Sequence, residues 1–244
     1  MAVTESTENV DRLLTLLGEF EVVDLSHPLE ELMPVFPVLS KFFHELWLSV
    51  SHGDPANAYQ IVMNEHTGTH VDAPAHYVPP GLPNSKWVDE VPPEQWMGRA
   101  AIIDCRDVAP RLTATPQKIK DWESEHGRLR PGDIVIFDFG WAAKWRKRPD
   151  DVEFQRGWPG VGLENAEILI ERQVKAVGVD TFSPDAQQSS GDPFHNRVLP
   201  EGICIIECLT NLDRLPAVCY VQVLPLKIKG GSGSPSRAIA LVPR

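Results

Sequence analysis

Three histidines and an aspartate fall within eleven residues, His66-Thr67-Gly68-Thr69-His70-Val71-Asp72-Ala73-Pro74-Ala75-His76. Imidazole and carboxylate together are the usual donors for zinc, manganese or iron. His70 and Asp72 are two apart, so in an extended segment they share a face. Gly68 lets the chain bend and bring His66 back toward them. Pro74 fixes the backbone and turns His76 toward the same centre. Three protein ligands, His66, His70 and Asp72, leave positions open, as a catalytic metal needs. That assigns His76 to proton transfer. The expected cofactor is a divalent metal, Zn or Mn.

A second carboxylate points the same way. Glu207 lies in the apolar run 203–209, which reads as a buried strand with Glu207 on the face of Ile203 and Ile205. A buried carboxylate without a partner costs several kcal/mol. A metal or a charged hydrogen-bond partner removes that cost. His195, in the loop 189–200, is twelve residues earlier and within reach of the same place. Phe36, Trp47 and Trp87 are candidate walls for a flat substrate ring. His27, His44, His52 and His126 are isolated and read as ordinary residues.

The elements that must hold these groups alternate. A helix over 7–18 carries Leu13, Leu14, Leu16 and Leu17, and Gly18 stops it. Strands are expected at 22–25, 46–50, 58–64, 100–104, 134–139, 174–179, 203–209, 217–224 and 238–242. Pro28, Pro34 and Pro37 make 26–40 an extended loop, and 79–93 is another loop rich in Pro and Gly. Thr115-Pro116 starts a helix that runs to about Ser124, and a second helix spans 163–172 with Ala166, Leu169 and Ile170 inward. Gly230 to Ser234 is too short for a domain linker. The final Leu241-Val242-Pro243-Arg244 reads equally as native or as a protease-site remnant. The pattern is one α/β domain with a mixed sheet over 22–244, preceded by an N-terminal helical arm over 1–21.

Composition narrows the function. Lys plus Arg number 23 against 34 Asp plus Glu, a formal charge of −11. Such a surface repels phosphate backbones, so no nucleic-acid partner is expected. The basic patch Lys144 to Arg148 reads as a solvated loop. No apolar stretch approaches the length that spans a bilayer and no signal peptide is visible, so the expectation is a cytoplasmic protein without a membrane partner. Cys105, Cys204, Cys208 and Cys219 fit neither a disulfide framework nor paired zinc knuckles and read as buried thiols.

Residues 66–76 resemble the cyclase family of metal-dependent hydrolases, which includes bacterial kynurenine formamidases and isatin hydrolases. They match its motif H-x-G-T-H-x-D-x-P-x-H at every fixed position. Asp24-Leu25-Ser26 with Pro34 and Pro37 resembles the family's N-terminal strand and loop. Val179-Asp180-Thr181, His195, Glu207 and Asn211-Leu212 resemble its C-terminal signature, and 235–240 its last strand. The resemblance implies a swivelling β/β/α fold and a homodimer or homotetramer. It implies a first metal on His66, His70 and Asp72 and a second position on Asp72, His195 and Glu207, with His76 in acid–base work. The general layout, with extra residues in the arm and in 141–160, is nearer to isatin hydrolases and other openers of lactones or cyclic amides. The expected activity is therefore hydrolysis of an amide or cyclic amide, or of a lactone, through metal-activated water on a small molecule. Arylformamidase action on N-formylkynurenine, a metal-containing binding protein without catalysis and a ring-forming cyclase are the alternatives.

Overall fold

The computed structural model describes residues 2–244, with side chains from residue 7 onward. Helix α1 (Ala2–Leu17) leads into strand β1 (Phe20–Asp24). Strands β2 (Phe43–Leu48) and β3 (Ala58–Val62) pair only with each other. The remaining strands are β4 (His70–Asp72), β5 (Met97–Asp104), β6 (Ile134–Asp138), β7 (Ala176–Val179), β8 (Cys204–Glu207), β9 (Val218–Pro225) and β10 (Gly233–Pro243). With β1 they form one mixed sheet in the order β1-β10-β4-β8-β7-β6-β5-β9. β10 also pairs with β9, so the sheet closes into a barrel-like ring. β5 to β8 run parallel, and the other pairings are antiparallel.

Parallel neighbours need crossovers. Helices α2 (Gln117–His126), α3 (Leu163–Glu171) and α4 (Pro193–Val198) provide three, one more than the sequence suggests. The segment 189–200, expected as a loop, contains α4, with Pro193 at its first position, where a missing N–H does no harm. The short strand β4 is also absent from the expected set, and the remaining differences lie at element ends. β2 begins three residues earlier than expected and stops at Leu48, and a 3₁₀ turn follows over Val50–His52.

Alternation along the strands separates two cores. Ile134, Ile136, Cys204 and Ile206 face the interior of the ring with Val71, Val221 and Ala240. Val135, Phe137, Ile203 and Ile205 face the helices, against Trp122, Leu169 and Phe194. Period two then places Glu207 on the helix-facing side, at the end of β8. Residues 241–243 pair with β1, Leu241 opposite Val22. All four cysteines are buried and free. Lys147 reaches Glu30 at 2.8 Å and so ties the loop 26–40 to the 141–153 segment, while Arg148 pairs with Asp151 inside that segment.

The α1 stripe finds no cover within the described residues. Leu13, Leu14 and Leu16 are each about half exposed or more, and Leu17 is 39% exposed. Burying such side chains is worth about 1.5–3 kcal/mol each. The described residues of its own domain do not cover the stripe, and a second subunit is the cover expected for it. Light scattering should find a homodimer or homotetramer for the full chain and a smaller species for a form starting at Glu19. A full-length monomer would rule the arm out as an interface.

Candidate metal centre

The motif folds as a short strand bounded by two turns. Gly68 adopts φ 63°, a left-handed conformation that favours glycine, and a Cβ there would lie 2.7 Å from Leu29 Cδ2, which would have to move aside. The bend brings His66 beside Asp72. Thr69 fixes the segment at both ends: its hydroxyl donates to the Cys208 carbonyl at 2.6 Å and accepts the His27 N–H at 3.0 Å. Strand β4 then lies antiparallel to β8 with His70 directly opposite Glu207. Pro74–His76 forms a 3₁₀ turn that stacks His76 on His66, with ring centroids 4.0 Å apart.

The donors meet around Asp72. Its Oδ1 lies 2.6 Å from His66 Nδ1 and 3.5 Å from His70 Nε2, and its Oδ2 lies 3.4 Å from His195 Nε2. Glu207 closes the ring, 3.2 Å from His70 Nε2 and 3.3 Å from His195 Nε2. All five expected ligands are therefore brought together. The closest-spaced donor groups differ from the expected division, however. They are His66, Asp72 and His76 on one side, and His70, Asp72 and Glu207 on the other. The His70–Glu207 register produces the second group, and the turn at Pro74 the first.

Each of the three inner imidazoles is held from behind. His70 Nδ1 lies 2.8 Å from the Gly68 carbonyl, an acceptor that can only take a proton, so Nε2 presents its lone pair inward. His195 Nδ1 lies 2.7 Å from Asp185 Oδ2, and Asp185 also accepts the N–H groups of Phe194 and His195. His66 Nε2 lies 2.9 Å from Ser232 Oγ. Outer partners of this kind are what fix the tautomer of ligating histidines.

Three buried atoms in the centre lack a well-aligned hydrogen bond: His70 Nε2, Asp72 Oδ2 and Glu207 Oε1. A buried acceptor left so costs about 1–3 kcal/mol, more when charged. The protonation tendencies report the same demand for positive charge. Burial pulls His70 down, but hydrogen bonding to Glu207 and the charges of Asp72 and Glu207 outweigh it and raise it to about 9. Burial likewise opposes His195, yet Asp185, Asp72 and Glu207 carry it well above the usual histidine range. Burial pushes Asp72 up, and His66 and His195 more than reverse that, holding it well below the usual carboxylate range. Two buried carboxylates, inward lone pairs and open acceptors fit a divalent cation. His76 differs: burial lowers it, and the opposing Asp72 charge is too weak to restore it.

A cavity of about 320 Å³ opens onto this centre. Its apolar wall comes from Val35, Phe36, Val38 and Leu39 on the loop before β2, and from Phe182. Phe36 packs edge-on against Phe182 at 5.9 Å. Tyr77 stacks on His195 and donates its hydroxyl to Asp192 at 2.8 Å. Of the three aromatic candidates, Phe36 lines the cavity, and Trp47 and Trp87 do not. Trp47 is 71% exposed because β2 belongs to the separate two-stranded sheet. Trp87 is half-buried beside Val88, whose side chain faces the ring interior. Sequence reasoning missed Phe182, Tyr77, Asp192 and Asp185. Only Phe182 and Tyr77 carried a signal, as neighbours of Thr181 and His76.

Comparison with known proteins agrees with this geometry. The family model described as "Putative cyclase" matches residues 23–186. The isatin hydrolase of Roseibium aggregatum is 30% identical, covering 94% of each chain. The kynurenine formamidase of Erythrobacter litoralis is 30% identical over 88% of this chain and 91% of its own. Among solved structures, isatin hydrolase A from Labrenzia aggregata bound to benzyl benzoate superposes with a TM-score of 0.87. It is 33% identical and covers 97% of this chain and all of its own. Fold, motif and relatives converge, and the chain belongs to the cyclase family of metal-dependent hydrolases.

Proposed function

We propose that this hydrolase opens a neutral cyclic amide fused to an aromatic ring, as the isatin hydrolases it resembles do by name. The observation that carries the reading is the junction of the centre with an apolar, aromatic-walled cavity. His66, His70 and Asp72 would hold the first divalent ion, Zn or Mn, and Asp72, His195 and Glu207 a second position. Such an ion supplies Lewis acidity, polarising a carbonyl and making water nucleophilic at neutral pH. The side chains do the rest. Phe36 and Phe182, packed edge-on against each other, would border the ring on one side and leave little room for bulk water. His76, half-buried at the mouth of the centre, takes a proton from the attacking water and returns it to the leaving nitrogen. The low protonation tendency of its ring suits it to act first as a base.

Arylformamidase action on N-formylkynurenine is the second reading, favoured by the Erythrobacter relative. It fits the cavity less well. That substrate carries an amino-acid carboxylate, and among the described residues no lysine or arginine lines the cavity, whereas Asp192 does. A metal-containing binding protein without catalysis is a third reading, opposed by the placement of His76. Assays of isatin, N-formylkynurenine and simple lactones, with chelator and after Mn or Zn is restored, separate these. Metal-restored turnover of isatin above the other two is expected. Preference for N-formylkynurenine would transfer the assignment, and no turnover would leave the binding-protein reading.

The walls give a further expectation. Phe36→Ala should raise KM for an aromatic substrate by roughly 3–10-fold, as loss of an aromatic contact worth about 0.5–1.5 kcal/mol implies. Trp47→Ala should leave kcat/KM unchanged. Steady-state kinetics of both variants checks this, and an equal effect at the two positions would remove Phe36 from the site.

A further inference from the structure

Of the three imidazoles His66, His70 and His195, His66 turns its Nδ1 inward where the other two turn Nε2, and the reason lies outside the motif. Its outer nitrogen, Nε2, is 2.9 Å from Ser232 Oγ. That hydroxyl has a single proton and donates it to Glu65 Oε2 at 2.9 Å. The Ser232 backbone N–H donates to the same oxygen at 2.8 Å. With its proton committed, Ser232 Oγ can only accept from the ring, so Nε2 carries hydrogen and Nδ1 offers a lone pair. That lone pair faces Asp72 Oδ1 at 2.6 Å. Two acceptors so close need a proton or a cation between them.

The glycine-serine stretch 230–234, which has no linker role, makes this contact possible. A Cβ on Gly233 would sit 2.5 Å from His66 Cε1 and 2.9 Å from Nδ1, and one on Gly231 would sit 3.2 Å from Glu65 Oε1. The Ala73 N–H donates to the Ser232 carbonyl at 2.9 Å, which fixes the serine beside the end of β4. Glu65 and Ser232 are 167 residues apart and meet on the outer side of the His66 ring.

We propose that Glu65 and Ser232 are positioning residues for the metal centre: a carboxylate–hydroxyl relay that holds His66 in its Nε2–H tautomer and so makes it ligate through Nδ1. This rests on the metal reading above and assigns the relay a task within it. Asp185 serves His195 directly; Glu65 serves His66 through a hydroxyl.

The test uses the full chain, stripped of metal and titrated with Zn²⁺ by chelator competition. Ser232→Ala and Glu65→Gln are expected to weaken binding about 10–100-fold, the usual effect of removing an outer partner of a ligating histidine. Ser232→Thr, which keeps the hydroxyl, is expected to stay within about threefold of wild type. Imidazole ¹⁵N spectra of the Zn²⁺-loaded wild type should show His66 ligated at Nδ1 and protonated at Nε2. Wild-type affinity in both Ser232→Ala and Glu65→Gln, a Ser232→Thr as weak as Ser232→Ala, or a His66 ligated at Nε2 would each overturn the relay. The wild-type spectrum needs no variant, so it decides the matter even where a substitution fails to fold. His70→Ala separates the two layers of the argument. If it binds Zn²⁺ as tightly as wild type, the metal reading itself fails; if it loses Zn²⁺ while the relay variants do not, only the relay fails.

Discussion

Replacing His76 with alanine is expected to lower kcat by roughly 10²–10⁴-fold, the usual contribution of a positioned acid–base group, with metal content nearly intact. The expectation comes from how the ring is held. His76 stacks on His66 at 4.0 Å and is half-buried at the cavity, while His66, His70 and His195 each have an outer partner that aims a lone pair inward. His76 sits on a turn, and its backbone N–H is used by Ala73 rather than by the centre. His70→Ala should behave oppositely. His70 is enclosed between Asp72 and Glu207, and its loss removes a donor that both carboxylates face. Metal analysis beside kinetics distinguishes the variants. The close grouping of His66, Asp72 and His76 makes the comparison sharp. Equal metal loss in both variants would move His76 into the ligand set and leave proton transfer without a residue.

How much of this was legible in sequence follows from how far apart the partners lie. The segment His66 to His76 was legible because its donors are near one another along the chain and a bend at Gly68 suffices to gather them. Glu207 was legible through period two, since a carboxylate on the face of Ile203 and Ile205 had to find a partner. Asp185 was not. Its bond to His195 depends on a turn before α4, which the sequence presents only as a loop. Glu65 and Ser232 were still less accessible, because the β4–β10 register alone brings them together. That register also closes the sheet, through a strand long enough to pair with three others. Trp47 and Trp87 failed for a simpler reason. Aromatic identity carries no direction, and a tryptophan on a separate hairpin is as visible in sequence as one in a cavity.

Stripping the metal should lower the melting temperature, and restoring it should reverse the loss. In the centre, Asp72 Oδ2 and Glu207 Oε1 are buried acceptors without a well-aligned hydrogen bond, and His70 Nε2 is a third such atom. They come from β4 and β8, two strands in the middle of the sheet, so an ion that joins them also ties the sheet together. Binding to the folded chain alone adds about 2.7 kcal/mol at a free concentration one hundred times Kd. For a chain of this size each kcal/mol moves Tm by about 2–4 °C, so the shift should be roughly 5–11 °C. Asp72→Asn provides the control. Asp72 is the residue that both proposed metal positions share, with one oxygen toward His66 and His70 and the other toward His195. Its amide cannot replace a carboxylate toward either, so the variant should be inactive and its Tm should not respond to Mn²⁺ or Zn²⁺. Calorimetry of both proteins, with and without metal, measures this. A wild type whose Tm is indifferent to metal, or an Asp72→Asn protein that still gains several degrees, would mean that the ion is held elsewhere.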